Sequence, residues 1–149
     1  MNLLDTLTEK TIALNLQGRT KEAIIDELLT ILAGTGKIAD RPEARRSVLE
    51  REKSLSTGMK NGIALPHGKT DAVSEMIACM GISNHGVPFD SMDGEPSRLF
   101  IMTLSPRNKT GPHLQFLAEV SRLFKSEEKR AALLAAKTQA DIFSIMASS

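Results

Sequence analysis

Three histidines, His67, His85 and His113, are the side chains in this chain best suited to moving a proton or a phosphoryl group near neutral pH. His67 lies in IALPHGK, directly after an apolar triplet and a proline. Pro66 fixes its own φ, and Gly68 removes a Cβ from the far side. The imidazole is then held on stiff backbone but reachable from one side. A catalytic ring at a strand end needs that arrangement; a ring that merely caps a carbonyl there fits the spacing equally well. Lys69 adds positive potential or is simply solvated.

His113 falls in the first turn of a helix if Thr110 caps it. Free N–H groups and the helix dipole would favour an anion there and keep the imidazole neutral. The alternative is a first-turn ring exposed to water. His85, in the turn SNHGV, reads as a surface residue. A metal site would need the three rings to converge, and zinc-type short spacing, such as two histidines four apart on one helix, is absent.

Arg51, in LEREK, should end a helix just before a glycine-containing loop. It is either a cation suited to a helix C-terminus or a guanidinium aimed at a phosphoryl group, whose oxygens its planar fork binds in pairs. Glu50 and Glu52 beside it are solvated or paired. Ser56, Thr57 and Gly58 offer hydroxyl and backbone donors, a weak cradle on their own. The loop is no P-loop, since GMKNG lacks the Gly-Lys-Ser/Thr ending. Neither Gly-x-Gly-x-x-Gly after a strand nor Gly-x-Ser-x-Gly is present.

Elements that could position these residues are legible. Thr20 caps a helix whose Ile24, Ile25, Leu28, Leu29 and Leu32 share a face, stopped by Gly34 and Gly36. A second helix begins near Asp40, with Pro42 in its first turn and Glu43 completing a capping box. It turns Ala44, Val48 and Leu49 inward and fades near Lys53. Ile63–Leu65 reads as a short strand stopped by Pro66. Met76–Ile82 and Leu99–Leu104 are apolar runs suited to strands buried on both faces, the first ending at SNHG. Leu114, Leu117, Val120, Leu123 and Phe124 mark the face of a helix starting at Thr110 and Pro112. Ser126 caps a further helix, and Thr138 with Asp141 opens a last one. Helices, strands, then helices predict an α/β or α+β sandwich.

The 149 residues, 41% hydrophobic and 25% charged, fit one globular domain. A net charge of +1 and an aromatic content of 3% argue against a nucleic-acid partner. Cys79, the one cysteine, sits in MIACMGI and reads as a small buried hydrophobe in a reducing compartment. Asp5 and Glu9 interrupt any signal-peptide core, and no apolar stretch approaches the ~18 residues of a membrane span, so a cytoplasmic protein without membrane insertion is expected.

Glu50 to Lys69, EREKSLSTGMKNGIALPHGK, resembles the signature of the type-2 IIA component of the bacterial phosphoenolpyruvate-dependent phosphotransferase system. That is the fructose/mannitol class, which includes the nitrogen-regulatory IIA protein. VPFDSMDGEPSRLFIMTLSP resembles the family's next segment, and GPHLQFLAEVSRLF its helix bearing a second histidine; the likeness runs from about residue 3 to 147. Leu55-Ser56 departs from the Gly-Ser common in the nitrogen-regulatory branch, and Met59-Lys60 from a small, Gly-containing pair.

The resemblance implies a single α/β domain over residues 1–149, with a mixed sheet of about five strands flanked by helices. It implies a phosphotransferase component needing no metal or nucleotide cofactor. His67 would be phosphorylated at Nε2, supported by Arg51 and His113, with Thr57 and Ser56 in the adjacent loop. The implied donor is the HPr-type carrier protein. The implied acceptor is a IIB component, typically at a cysteine, in fructose/mannitol-class uptake. The alternative is a regulatory protein whose phosphorylation state switches binding to non-transport targets.

Overall fold

The structure, a computed structural model, describes residues 6–148. In chain order its elements are β1 (Ile12–Ala13), α1 (Lys21–Ala33), α2 (Arg41–Ser54), β2 (Ile63–Ala64), β3 (His67–Lys69), β4 (Ile77–Val87), β5 (Ser97–Ser105), α3 (Thr110–Phe124), α4 (Glu127–Ala135) and α5 (Gln139–Ala147). A 3₁₀ turn, Glu9–Thr11, precedes β1.

The two apolar runs form the centre of a five-stranded mixed sheet, β4 antiparallel to β5. Side chains alternate between faces along a strand. Cys79, Phe100, Met102 and Leu104 pack with Ile24, Leu28, Leu32 and Val48 on the α1–α2 side. Met80, Ile82, Leu99 and Ile101 pack with Phe116, Val120, Phe124 and Ile142 on the α3–α5 side. Helices on both faces explain why these strands read as continuous apolar runs. β1 lies parallel to β4, and β2 and β3 lie in succession parallel to the other edge of β5.

Helix starts obey local chemistry. Thr20 Oγ1 accepts from Ala23 N at 3.1 Å, Asp40 Oδ1 from Glu43 N at 3.2 Å, Ser126 Oγ from Lys129 N at 3.1 Å and Thr138 Oγ1 from Asp141 N at 3.0 Å. The Glu43 carboxylate bonds Arg46 rather than completing a capping box. At α3 the expectation fails. Thr110 is the first helical residue, and the cap position, Lys109, makes no side-chain cap bond. Leu114 is 59% exposed, and the inward face is set by His113, Phe116, Val120 and Phe124. Polar His113 takes the place that the leucine pattern suggested for Leu114.

Other differences are also tertiary. β4 continues through Asn84 and His85 to Val87, with a register shift between Ile82 and Val87. Pro66 does not end the strand region; it separates β2 from β3, and its own carbonyl accepts from Thr103 N at 3.2 Å. Asn61 and Gly62 both have positive φ, 66° and 74°, so the loop before β2 turns as a tight hairpin, with Met59 N bonded to Ile63 O at 2.7 Å. Cys79 is buried, donates to the Leu28 carbonyl at 3.5 Å, and its thiol pKa is pushed up by burial. Asp5 lies outside the described residues. No helix among the described residues is long and apolar enough to cross a membrane.

Gly68 sets how closely α2 lies on β3. A Cβ built there would overlap Ser47 Oγ and stand 3.0 Å from Val48 N. We expect Gly68→Ala to lower unfolding stability by about 1–3 kcal/mol, because α2 must move away. Gly111→Ala, where a Cβ meets nothing within 4 Å, should leave stability unchanged or slightly raised. Urea titration of both variants checks the pair.

Candidate functional site

His67 begins β3, held opposite Thr103 of β5 by the parallel pairing. Its Nδ1 lies 2.9 Å from the Leu65 carbonyl oxygen. A carbonyl only accepts, so the Nδ1 position carries the proton. In the neutral ring the lone pair is then on Nε2, which makes Nε2 the nucleophilic atom. Both sequence readings of His67 meet here: the ring caps a carbonyl, and that bond presents its other nitrogen.

The ring is half-buried. Burial pushes its pKa below the usual imidazole value; the bond to Leu65 opposes this, Arg51 pushes it further down, Glu52 opposes, and Lys69 again lowers it. The neutral ring is therefore the favoured form above pH 6.5.

His113 lies in the first turn of α3 and is buried, not exposed to water. Its ring centroid is 4.9 Å from that of His67, tilted 46°. Its Nδ1 is 3.3 Å from Thr103 Oγ1. Thr103 thus touches both rings' surroundings: it is the backbone neighbour of one and the side-chain partner of the other. Burial, then the nearby His67, Lys69 and Arg51, push the His113 pKa down to about 4. Two neutral imidazoles stand side by side at neutral pH.

Arg51 occupies the last turn of α2, and its Nη1 donates to the Leu55 carbonyl at 2.6 Å. The arginine is both the C-terminal helix cation and a charge felt by both rings. Lys69 is not free in solvent: its Nζ donates to Thr110 Oγ1 at 2.6 Å, tying β3 to the start of α3. The structure therefore sets His67 and His113 side by side, with Arg51 and Lys69, from α2 and β3, near enough to act on both rings electrostatically.

Ser56 and Thr57, the loop residues that the resemblance sets beside the site, spend their hydroxyl protons inside the protein. Ser56 Oγ donates to the Phe89 carbonyl at 2.6 Å and accepts from Gly58 N at 3.0 Å. Thr57 is buried, and its Oγ1 donates to Glu52 Oε1 at 2.5 Å. Both hydroxyl protons are committed to holding the loop. Glu50 is exposed and pairs with Arg46 at 2.8 Å, whereas Glu52 is buried. Sequence reading left Glu52 undistinguished from Glu50. The signal was the spacing: 44, 48 and 52 form one i, i+4 stripe on the inward face of α2.

His85 stands apart, its Nε2 3.1 Å from the Gly18 carbonyl oxygen. The three histidines do not converge. Among the described residues no group of three or more His, Cys, Asp or Glu side chains is arranged to hold a metal ion. The cluster at His67 is suited instead to an anion with several oxygens: a nucleophilic nitrogen, a guanidinium, an ammonium and a second imidazole.

Comparison with known proteins identifies the family. The model of the family described as phosphoenolpyruvate-dependent sugar phosphotransferase system, EIIA 2, matches residues 5–149. The chain is 38% identical over 128 residues to the fructose-specific EIIA component of Haloferax volcanii, covering 86% of this chain and 83% of that protein. It is 38% identical over 146 residues to the fructose-specific EIIABC component of Bacillus subtilis, covering 98% of this chain but only 23% of that larger protein. The nitrogen regulatory protein IIA-Ntr of Neisseria meningitidis superposes with a TM-score of 0.90 at 26% identity, over 97% of this chain and 98% of that one. With the family model matched from residue 5 to residue 149, the protein belongs to the type-2 EIIA family of the phosphoenolpyruvate-dependent sugar phosphotransferase system.

Proposed function

We propose that this protein is a phosphohistidine carrier in sugar uptake of the fructose/mannitol class. An HPr-type carrier donates the phosphoryl group to His67 Nε2, and a IIB component receives it. The observation that carries the reading is the Nδ1 bond to the Leu65 carbonyl, which leaves a neutral ring with Nε2 as its free lone pair.

The step balances without an outside proton. The Nε2 lone pair forms a bond to phosphorus as the donor's P–N bond breaks and returns its electron pair to the donor ring. The His67 ring then carries positive charge, which the Nδ1–H bond to Leu65 O favours. Transfer to IIB reverses this at phosphorus: the acceptor nucleophile attacks and Nε2 regains its pair. Such a reaction needs positioning and charge neutralisation more than bond chemistry. Arg51 binds phosphoryl oxygens with the donors it does not give to Leu55. His113, with Thr103 donating to its Nδ1, donates from Nε2. The exposed Leu55 and Leu114, next to these groups in the chain, supply apolar contact for partner proteins.

A second reading is a regulatory IIA protein, whose phosphorylation at the same ring switches binding to other targets. The close superposition with IIA-Ntr favours it, and the higher identity to fructose-specific EIIA favours transport. Transfer of label from the phosphorylated protein to a IIB component separates them. Absence of transfer, with phosphorylation-dependent capture of a non-transport protein, would establish the regulatory role.

With phosphoenolpyruvate, enzyme I and the HPr-type carrier, the chain should take up one acid-labile, base-stable phosphoryl group, mapped to His67 by mass spectrometry. Undiminished labelling of His67→Ala would refute the assignment. Rapid-quench measurements should show His113→Ala and Arg51→Lys slowing transfer by about 10²-fold, the loss typical of one preorganised charge-stabilising group. Phosphoryl acceptance should fall on acidification with a midpoint below pH 6.5, because the lowered His67 pKa favours unprotonated Nε2 at neutrality. A midpoint above pH 6.5 would contradict the environment described for His67.

A further inference from the structure

Glu52 is the only buried carboxylate among the described residues. An uncompensated carboxylate in that position would be costly. Three donors satisfy it: Thr57 N at 2.8 Å, Thr57 Oγ1 at 2.5 Å and Lys21 Nζ at 3.0 Å. It immediately follows Arg51, and Thr57 lies two residues beyond Leu55, whose carbonyl receives the Arg51 guanidinium. Both residues of the Arg-Glu pair thus fold the same short segment back on the end of α2, Arg51 by one side-chain bond to Leu55 and Glu52 by two to Thr57.

The turn is braced from outside as well. Lys21, the first residue of α1, also bonds Asp90 at 2.9 Å and lies over the Phe89 ring, 4.9 Å from its centroid. The Phe89 carbonyl in turn accepts from Ser56. Every member of this network holds the 55–58 loop, and none is one of the two imidazoles. If the loop moved, the Leu55 carbonyl would move, and the guanidinium would lose its anchor.

Resting on the phosphocarrier reading, we propose that Glu52 is a positioning residue: its carboxylate locks the turn after α2 so that the Leu55 carbonyl holds the Arg51 guanidinium beside His67. Glu52 is buried beneath the loop and acts through Arg51.

The test is Glu52→Gln, which keeps an acceptor for Thr57 but loses the charge and the pairing with Lys21. We expect kcat for phosphoryl transfer to fall about tenfold or more, as for a misplaced catalytic group. KM for the HPr-type carrier should stay within twofold. In an Arg51→Lys background the same change should cost less than twofold, because the group that Glu52 positions is already gone. A kcat within twofold of wild type, or an equal loss in both backgrounds, overturns the proposal. Should Glu52→Gln fail to fold, Thr57→Val removes one of the same bonds and is read by the same criteria. In the unphosphorylated protein, 15N spectra should resolve slowed guanidinium rotation for Arg51 in wild type and not in Glu52→Gln. Unchanged Arg51 resonances overturn the positioning role, whereas a wild-type chain that takes no label at His67 overturns the phosphocarrier reading instead.

Discussion

The hydrogen bond from His67 Nδ1 to the Leu65 carbonyl is the constraint on which the site depends. It selects the tautomer and leaves the ring's lone pair on Nε2. It exists because Pro66 interrupts the chain between two very short strands, both paired to β5. The proline supplies no N–H to the ladder, but its carbonyl still accepts from Thr103. The Leu65 carbonyl is left free to point at the ring two residues on. A flexible loop would place the same residues together only part of the time and would lose that geometry to conformational entropy.

Charge is arranged around the ring in an uneven way. Arg51 and Lys69 are cations that act on both histidines, and burial keeps the rings themselves neutral. One buried carboxylate, Glu52, opposes them from beneath the loop. The resting site therefore has positive surplus that is not carried by the nucleophile. A phosphoryl group brings between one and two negative charges. On the proposed function such a group would meet cations already in place, and the Nε2 lone pair would not be lost to a proton. Neutral imidazoles beside fixed cations satisfy both requirements at the same pH.

Three elements must agree for this to work: β3, the C-terminal end of α2 and the first turn of α3. Close approach at Gly68 couples α2 to β3. The Lys69–Thr110 bond and the Thr103–His113 contact couple the sheet to α3. Each coupling uses a short polar contact or a missing side chain at the margin of an otherwise apolar sandwich. The apolar core supplies stability; these few contacts supply the relative placement of the reactive groups.

Much of this was legible before any coordinates. Helix caps at Thr20, Asp40, Ser126 and Thr138 are local events, as are the two buried strands, whose apolar runs need cover on both faces. The Pro-His-Gly segment and the upstream Arg-Glu pair pointed to the family and to His67 and Arg51 as candidates, and the GPHLQFLAEVSRLF segment to His113. The rest depends on contacts between residues distant in the chain. Nothing local distinguishes Glu50 from Glu52 except which side of α2 the core lies on. Nothing local places Leu114 outward and His113 inward, commits the hydroxyls of Ser56 and Thr57 to Phe89 and Glu52, or divides the Pro66 region into two strands. Short-range sterics and hydrogen bonds are written in neighbouring residues, so sequence determined the elements and the candidate side chains. Burial and the pairing of distant polar groups arise only when α2, β3, β5 and α3 meet, so tertiary structure decided which nitrogen is free, which charges face it and which acid is buried.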